Sequence, residues 1–395
     1  MATSSSTSQS SATARLFTAA RLIDLVRAQP GITRAAAAQE LGISSGAATD
    51  LLARLRVAEL LDESPAPAQG RGRPTTVLHA HARGPLVIVA ELLATGWRVA
   101  CVGLDGEPQI EAQSPRLRQR PVRVLDDMAV AISEIHAREG RRVRAVSVSV
   151  AGTISDDRLV QFSPKGWLDV DLSRLTAQLP DDVHLPVVLG NDATLAGLAE
   201  ARTGVARDGG TVLHLIVAVG VGGALIVDGV PATGEHGGAG EYGHIPFGDP
   251  ARQCPCGAYG CWGLTVDGLA LAELCGDPAP RNPITYAHKL IAKTAPTLRE
   301  QAAFDSVAAS LGRGVAALVN LHDPALVTLG GLAIPLRARS SESFDAAYQN
   351  GLMAYRRPSP TPVLDGIHGD DGPLRGAAIR GIDHITTAEA LAEWV

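Results

Sequence analysis

The sequence predicts an α/β protein in two parts, a small helical module at the N-terminus and a longer body of alternating strands and helices. Residues 13–82 carry apolar positions at helical spacing, and residues 85–395 carry short apolar runs that end at glycine or Asp-Gly. The third observation is the loop Gly240–Cys261, which holds three of the five cysteines. At 395 residues the chain is too long for one hydrophobic core, so two or three domains are expected.

Charge is distributed unevenly along the chain, whose formal net charge is −6. Residues 1–84 contain nine Arg and six Asp or Glu, a balance of +3, which leaves −9 for the remainder. The overall negative charge argues against a protein coated in nucleic acid. A mildly basic N-terminal part on an acidic body instead suits a DNA-binding module attached to a small-molecule sensor.

The N-terminus and the hydropathy pattern bear on where in the cell the protein is found. Residues 1–12 are rich in Ser and Thr and lack a charged start followed by an apolar core, so they predict a disordered tail and not a secretory signal. No apolar run reaches the roughly twenty residues that span a bilayer. We therefore expect a cytoplasmic protein with no membrane partner.

Three helices are expected in the N-terminal module, residues 13–82. Apolar residues recur at helical spacing over Leu16–Val26, before a Pro-Gly stop. Thr33 is placed to cap a second helix, which ends at a tight turn over Gly42–Ser44. Ser45 then begins a third, longer helix. This order predicts a helix-turn-helix, with a small helical bundle that has no DNA role as the alternative.

A hairpin with a flexible tip is expected next. Residues 66–73 are A-P-A-Q-G-R-G-R, and a proline and a strand-like run follow. Such a hairpin is the wing of a winged helix, and arginine at its tip can enter a narrow minor groove, where the potential is most negative. The helices and the wing together predict a DNA-binding domain. The expected DNA contacts, at the start of the third helix and at the wing tip, are Ser44, Ser45, Ala47, Thr49, Arg71 and Arg73.

The cysteine loop predicts a metal centre. His244, Cys254, Cys256 and Cys261 lie within eighteen residues. Zn²⁺ favours four tetrahedral nitrogen and sulfur ligands, and a Cys₃His set leaves no position open for water. A disulfide or unrelated buried thiols are the alternatives, but no secretory signal points to an oxidising compartment. The sequence therefore predicts structural Zn²⁺.

The same loop resembles that of a known family. G-E-Y-G-H at Gly240–His244, followed by C-P-C-G-A-Y-G-C at Cys254–Cys261, resembles the zinc motif of the ROK family, which groups bacterial sugar kinases with sugar-responsive transcription regulators. The G-R-G-R-P run also resembles part of the N-terminal module of the ROK regulators. The resemblance covers residues 85–395 and implies an actin-like ATPase (ribonuclease H-like) sugar-kinase fold, with lobes over about 85–205 and 206–395.

The expected strands of the body follow from its apolar runs. They are Leu86–Glu91, Trp97–Leu104, Val143–Val150, Leu185–Leu189, Val212–Val219 and Leu326–Leu329. Gly220–Gly223 is expected to turn the chain between two strands.

The resemblance also implies a sugar site. It assigns Glu241 and His244 to sugar hydroxyls, with His244 holding the metal as well. It assigns Asn191 to the sugar and Asp192 to the position of the general base, at a strand-to-helix junction. Capping of the helix is the alternative role for Asn191 and Asp192. Gly263 stands where the family has a glutamate that contacts the sugar, so this carboxylate is missing.

The phosphate motifs of the family's kinases are degraded. Where these kinases have D-x-G-G-T, the chain has Glu91–Thr95, with Leu93 in the place of a glycine that permits phosphate approach. Val219 replaces a hydroxyl residue of the second phosphate loop, and Ala224 replaces its last glycine. We therefore predict no catalytic residue and no kinase activity.

Three functions are compatible with these patterns. The favoured one is a sugar-responsive transcriptional repressor that binds a double-stranded DNA operator and a sugar or sugar-derivative effector, as a homodimer or homotetramer. The second is an ATP-dependent sugar kinase with an added DNA-binding domain. The third is a regulator whose sensor answers to a protein partner instead of a small ligand.

Overall fold

A computed structural model describes residues 4–66, 76–117, 120–155, 158–162 and 165–394. Its helices are α1 Ser4–Ala28, α2 Arg34–Leu41, α3 Ser45–Val57, α4 Pro121–Glu139, α5 Asp192–Thr203, α6 Gly268–Cys275, α7 Pro283–Ile291, α8 Leu298–His322, α9 Ala333–Arg339, α10 Ser341–Gly351, α11 Gly372–Ile385 and α12 Ala388–Trp394. Its strands are β1 Leu61–Pro65, β2 Thr76–Ala80, β3 Leu86–Leu92, β4 Trp97–Val102, β5 Gln109–Ser114, β6 Val143–Val150, β7 Thr153–Ser155, β8 Arg158–Phe162, β9 Trp167–Val170, β10 Val187–Asn191, β11 Thr211–Ala218, β12 Gly220–Val227, β13 Val230–Pro231, β14 Leu326–Gly331 and β15 Val363–Asp365.

The chain forms two compact units. Unit 1 comprises residues 1–148, 173–188 and 377–395, and unit 2 comprises residues 149–172 and 189–376. The domain bounds of 13–82 and 85–395 drawn from the sequence remain predictions.

The N-terminal elements have the predicted order of helix, turn, helix and hairpin. The Thr33 hydroxyl accepts from the N–H of Ala36 at 3.2 Å and so caps α2. Gly42 follows with a φ of 67°, the left-handed conformation that ends a helix most easily at glycine. Strands β1 and β2 pair antiparallel, with Leu61 opposite Ala80.

Two predictions for this module concern its N-terminal tail and its wing tip. The disordered tail over residues 1–12 stays a prediction, although helix α1 is described from Ser4 onwards. The predicted wing tip, with Arg71 and Arg73, lies outside the described residues.

The first five-stranded sheet has the order β10-β6-β3-β4-β5. Every residue of β3 is buried, and β3 pairs antiparallel with β4. The strand expected at Leu185–Leu189 instead covers Val187–Asn191. Pro186 has no N–H to donate, and its carbonyl accepts from the N–H of Val146 at 2.9 Å, so the regular strand begins after it.

Unit 2 contains a second five-stranded sheet of order β13-β12-β11-β14-β15. Ala218 pairs with Gly220, so Val219 alone forms the turn between β11 and β12. This corrects the expectation that Gly220–Gly223 forms the turn. The glycines serve close packing instead: a Cβ on Gly222 would lie 2.6 Å from the Cβ of Ala193 in α5.

Helix α8 forms the core of unit 2 beside this sheet. Thr297 and Glu300 form a capping box at its start, and Phe304, Leu311 and Val315 are fully buried. Among the described residues α8 is the one helix long and apolar enough to cross a membrane, although the sequence was expected to contain no such run. Within the apolar stretch 67% of the helix is buried inside the protein.

Candidate metal centre and ligand site

The four predicted metal ligands converge in unit 2. The ligand atoms of His244, Cys254, Cys256 and Cys261 all lie within 4.8 Å of one another. The Sγ atoms of Cys256 and Cys261 are 3.7 Å apart, and Nδ1 of His244 is 3.8 Å from Sγ of Cys254. A tetrahedron with metal–sulfur bonds of about 2.3 Å has edges of about 3.8 Å. The donor set and its spacing therefore fit Zn²⁺, and all five cysteines are free thiols, which argues against the disulfide alternative.

Backbone turns bring the three thiols together. The N–H of Cys254 donates to the carbonyl of Ala258 at 2.8 Å, and the N–H of Gly257 donates back to Cys254 at 2.9 Å. Gly257 and Gly260 have φ angles of 96° and 70°, which side chains with a Cβ rarely adopt. These two glycines therefore let the chain curl around the metal position.

Each thiol of the cluster affects how readily its neighbours ionise. Burial, followed by the neighbouring thiols of Cys254 and Cys256, raises the pKa of Cys261 to about 12. Burial also acts to raise the pKa of Cys256, but the N–H of Ala258 and the two other thiols lower it overall. Three thiols at one point resist joint ionisation, and a bound cation would relieve this repulsion.

Trp262 anchors the loop to the core of unit 2. Its side chain is fully buried, and its indole Nε1–H donates to the carbonyl of Ser310 at 3.3 Å. A Cβ on Gly314 in α8 would overlap the indole, so the ring lies directly on the helix backbone. This anchor was not predicted from the sequence, although the tryptophan beside Cys261, in a chain with few aromatics, is a signal for it.

Glu241 lies beside the metal cluster. Its Oε2 is 3.7 Å from Nε2 of His244, on the side of the ring away from Cys254, and each of the two side chains is more than one-third exposed. The imidazole therefore has one nitrogen at the metal position and the other facing a carboxylate.

Asn191 caps α5, which agrees with the capping alternative. Its Oδ1 accepts from the N–H groups of Ala193 and Thr194 at 2.9 and 3.1 Å, and its Nδ2 donates to the carbonyl of Gly152 at 2.9 Å. Asp192 is the first residue of the helix, and its Oδ1 also accepts from the N–H of Ala193. A sugar contact by either residue remains a prediction.

Strand β12 contacts both segments that carry the predicted sugar ligands. Gly222 packs against Ala193, next to Asp192, and a Cβ on Gly223 would lie 2.7 Å from the ring of Tyr242, which is next to Glu241. Consecutive glycines of one strand thus support the start of α5 and the turn that carries His244.

The first degraded phosphate motif forms an ion pair. Nε of Arg98 lies 2.5 Å from Oε2 of Glu91, its cross-strand partner, and the Glu91 side chain is 1% exposed. The N–H of Leu93 donates to the carbonyl of Gly96 at 2.9 Å and so closes the turn between β3 and β4. An arginine side chain therefore neutralises the carboxylate at the position where the kinase motif has its aspartate.

A carboxylate side chain lies against the backbone of the second degraded motif. Asp267 accepts hydrogen bonds from the N–H groups of Leu269, Ala270 and Gly220, and it is 4% exposed. Burial raises its pKa, and the three N–H donors oppose that shift. The backbone N–H of Gly220 therefore has an acidic partner within the chain, and Val219 beside it carries no hydroxyl group.

The predicted contacts on α3 are all exposed. Ser44, Ser45, Ala47 and Thr49 lie at the surface. The Ser44 hydroxyl accepts from the N–H of Ala47 at 3.2 Å, and the Thr49 hydroxyl donates to the carbonyl of Ser45 at 2.9 Å. Both hydroxyls thus stabilise the helix start, while Arg71 and Arg73 lie outside the described residues.

Comparison with known proteins identifies the family. A profile of the ROK family matches residues 91–382. The chain belongs to the ROK family. Its ROK region has the actin-like sugar-kinase fold that the resemblance implied, and ROK members include both kinases and regulators.

Relatives of both kinds resemble this ROK protein. The N-acetyl-D-glucosamine kinase of Pectobacterium atrosepticum is 32% identical over 233 residues, 54% of this chain and 69% of the kinase. The xylose repressor of Bacillus subtilis is 23% identical over 287 residues, 71% of each chain. The crystal structure of a ROK family transcriptional regulator, a homologue of the E. coli MLC protein, is similar with a TM-score of 0.76 and 20% identity, over 97% of this chain and 99% of that one. The likeness of fold thus includes the N-terminal elements.

Proposed function

We propose that this ROK protein is a sugar-responsive DNA-binding transcriptional repressor that binds its sugar without phosphorylating it. The observation that carries the proposal is the exposed helix α3, preceded by α2 and a Gly42 turn and followed by the β1–β2 hairpin, in the same chain as a ROK body. In a helix-turn-helix made of α2 and α3, the second helix of the pair, α3, enters the major groove of DNA. A repressor and a regulator among the similar proteins support the same assignment.

Lack of kinase activity is the second part of the proposal. Catalysis of phosphoryl transfer consists of positioning and of charge stabilisation around the phosphates and Mg²⁺. Here Glu91 already pairs with Arg98, and the N–H of Gly220 already donates to Asp267. Leu93 fills the place of a glycine. The Glu91 carboxylate and the Gly220 N–H are thus engaged within the chain, and the Leu93 side chain hinders the approach of a phosphate.

The effector site is proposed in unit 2. Asn191 and Asp192 at the start of α5, with Glu241 and His244 beside the metal cluster, offer acceptors and donors suited to sugar hydroxyls. Zn²⁺ bound by His244 and the three cysteines is proposed to be structural: it would fix the turn that presents Glu241. Gly263 contributes no side chain, so the carboxylate that the family's glutamate would offer to the sugar is absent here.

The proposed mechanism is a population shift. The effector binds the state that does not hold the operator and so lowers occupancy of the DNA. A homodimer or homotetramer presents two helix-turn-helix modules to half-sites about one helical turn apart, or multiples of it. The proposed location is the cytoplasm, where operator and sugar metabolite meet.

A ROK sugar kinase is the second candidate, because the N-acetyl-D-glucosamine kinase is 32% identical over 54% of the chain. In that case Asp192 would be the general base. The missing phosphate contacts argue against it, and turnover can be measured directly.

The test combines DNA binding with turnover. The full-length protein is titrated into fluorescent DNA from its own upstream region, with and without a panel of sugars, N-acetylated sugars and sugar phosphates. One class of sugar is expected to weaken DNA binding by about tenfold or more. Asp192→Asn should lessen this effect and keep DNA affinity without sugar, whereas the exposed control Asp208→Asn should behave like the wild type.

The same sugars are then offered with Mg-ATP in a coupled ADP-release assay. The repressor assignment predicts no turnover above background. Turnover that disappears in Asp192→Asn would establish the kinase instead. Specific DNA binding that no sugar alters would point to a protein partner as the effector.

A further inference from the structure

Helix α3 has a narrow stripe that points straight away from the core. The buried side chains of the helix are Ala48, Leu51, Leu52 and Leu55. At about 100° per residue, the line opposite them is formed by positions spaced i, i+4, i+7 and i+11. These positions are Gly46, Asp50, Ala53 and Val57, and all four are exposed. This outer stripe is the part of α3 that would enter a groove most deeply.

Only one side chain of the outer stripe can form hydrogen bonds. Gly46 and Ala53 have no polar side-chain atoms, and Val57, which is 87% exposed, is apolar. Asp50 lies between the two small residues. Its neighbour Arg54 donates Nε–H to the backbone carbonyl of Asp50 at 3.2 Å and not to the carboxylate.

Two hydroxyls beside the stripe form hydrogen bonds with the backbone of the helix start. The Thr49 hydroxyl donates to the carbonyl of Ser45, and the Ser44 hydroxyl accepts from the N–H of Ala47. The Ser44 and Thr49 hydroxyls therefore have part of their hydrogen-bonding capacity occupied by the backbone, which leaves less of it for direct base recognition. Asp50 is the side chain on this surface best placed for it.

A carboxylate on a DNA-facing helix is costly unless it accepts a hydrogen bond, because the phosphates repel it. In the major groove the base-edge donors are the amino groups of cytosine (N4) and adenine (N6), and aspartate and glutamate pair characteristically with cytosine N4. The adenine amino group adjoins the acceptor N7, which suits an amide better than an ionised carboxylate. Small residues on both sides of Asp50 allow the close approach that its short side chain requires.

We propose that Asp50 is a specificity-determining residue that accepts a hydrogen bond from the N4 amino group of a cytosine in each operator half-site. This inference rests on the proposed DNA-binding function and adds the base class that the helix selects. Asp50 contributes discrimination and not raw affinity, because its charge disfavours every duplex that lacks the cytosine at that position.

The experiment selects binding sites from a duplex library with a random central region, using the full-length wild type, Asp50→Ala, Asp50→Asn and the control Glu40→Ala. Glu40 is an exposed carboxylate on α2 and lies away from the outer stripe. Glu40→Ala therefore changes the net charge as much as Asp50→Ala does, without altering the outer stripe. The wild type and the control are expected to require a C·G pair at one position of each half-site. Changing that pair should weaken wild-type binding on the order of ten- to a hundredfold.

The two Asp50 variants give different expected results. Asp50→Ala should accept any base at that position and bind random DNA more tightly than the wild type. Asp50→Asn should shift the preference towards adenine, since an amide pairs with N6 and N7. Unchanged base preferences in both variants would overturn the role of Asp50 and leave the DNA-binding function intact. Failure of the wild type to select any sequence would instead contradict the proposed function itself.

Discussion

Nε2 of His244 lies 3.7 Å from the Glu241 carboxylate, while Nδ1 of the same ring lies 3.8 Å from Sγ of Cys254. A carboxylate behind a ligating histidine fixes the tautomer and the orientation of the ring and raises its basicity as a ligand. Glu241 and the metal position are therefore linked through one imidazole. A metal bound at this cluster would therefore fix the position of the segment that presents Glu241.

Glu241→Gln is expected to weaken metal binding by about 10- to 100-fold, because the amide orients the imidazole less strongly than the carboxylate does. Competition with a chromophoric chelator measures the affinity. Glu235→Gln is the matched control, since Glu235 is exposed in the same segment and lies outside the metal cluster. Equal affinities for the two variants would show that Glu241 does not support the ligand.

Cys256→Ser is expected to lose the metal and to lower the Tm by about 5 °C or more, because metal binding and folding of the loop are coupled. Elemental analysis and thermal unfolding measure the two effects. Cys275→Ser, a free and half-buried thiol outside the cluster, should retain the metal. An untagged wild type that purifies without zinc would refute the structural zinc site.

Arg71→Ala with Arg73→Ala is expected to weaken DNA binding and to flatten its salt dependence. The slope of log K against log salt is negative, and each lost phosphate contact reduces its magnitude by about 0.9. The loss of two contacts should therefore reduce the magnitude by about 2. Arg207→Ala, an exposed arginine of unit 2, should leave the slope unchanged. A double variant with the wild-type slope would contradict the wing assignment. Substitutions at Ser45, Ala47 or Thr49 should act on sequence preference instead.

Acid is expected to destabilise unit 2 through His214. The side chain is 2% exposed on β11, and Nδ1 lies 2.9 Å from the Thr328 hydroxyl. Burial lowers its pKa from 6.5 to about 4, so between these pH values the unfolded state binds the extra proton. The contribution of His214 to the free energy of unfolding is therefore fully present above pH 6.5. It is lost as the pH falls towards 4, and the total loss is about 3 kcal/mol.

His214→Asn should therefore make the stability less dependent on pH in this range, although it lowers the stability at pH 7. Urea unfolding at a series of pH values between 7 and 4 measures the effect. The exposed His184→Asn should keep the wild-type pH dependence. A wild-type slope in His214→Asn would assign the acid sensitivity to other groups.

The sequence by itself determined the local features. Thr33 and Ser44 cap the helices that follow them, and the Cys254–Cys261 loop brings its thiols together. In each case the donor and the acceptor, or the ligands, lie only a few residues apart, so the spacing along the chain specifies the geometry. The convergence of His244 with the three thiols was predictable for the same reason.

Tertiary structure decided the features that depend on distant partners. Glycines that resemble a turn, Gly222 and Gly223, belong to β12, because α5 and the ring of Tyr242 pack against them. The hydrogen bond from the Gly220 N–H to Asp267 and the position of Trp262 on α8 likewise join residues far apart in sequence. Such contacts depend on how strands and helices pack, and composition and spacing do not encode that packing locally.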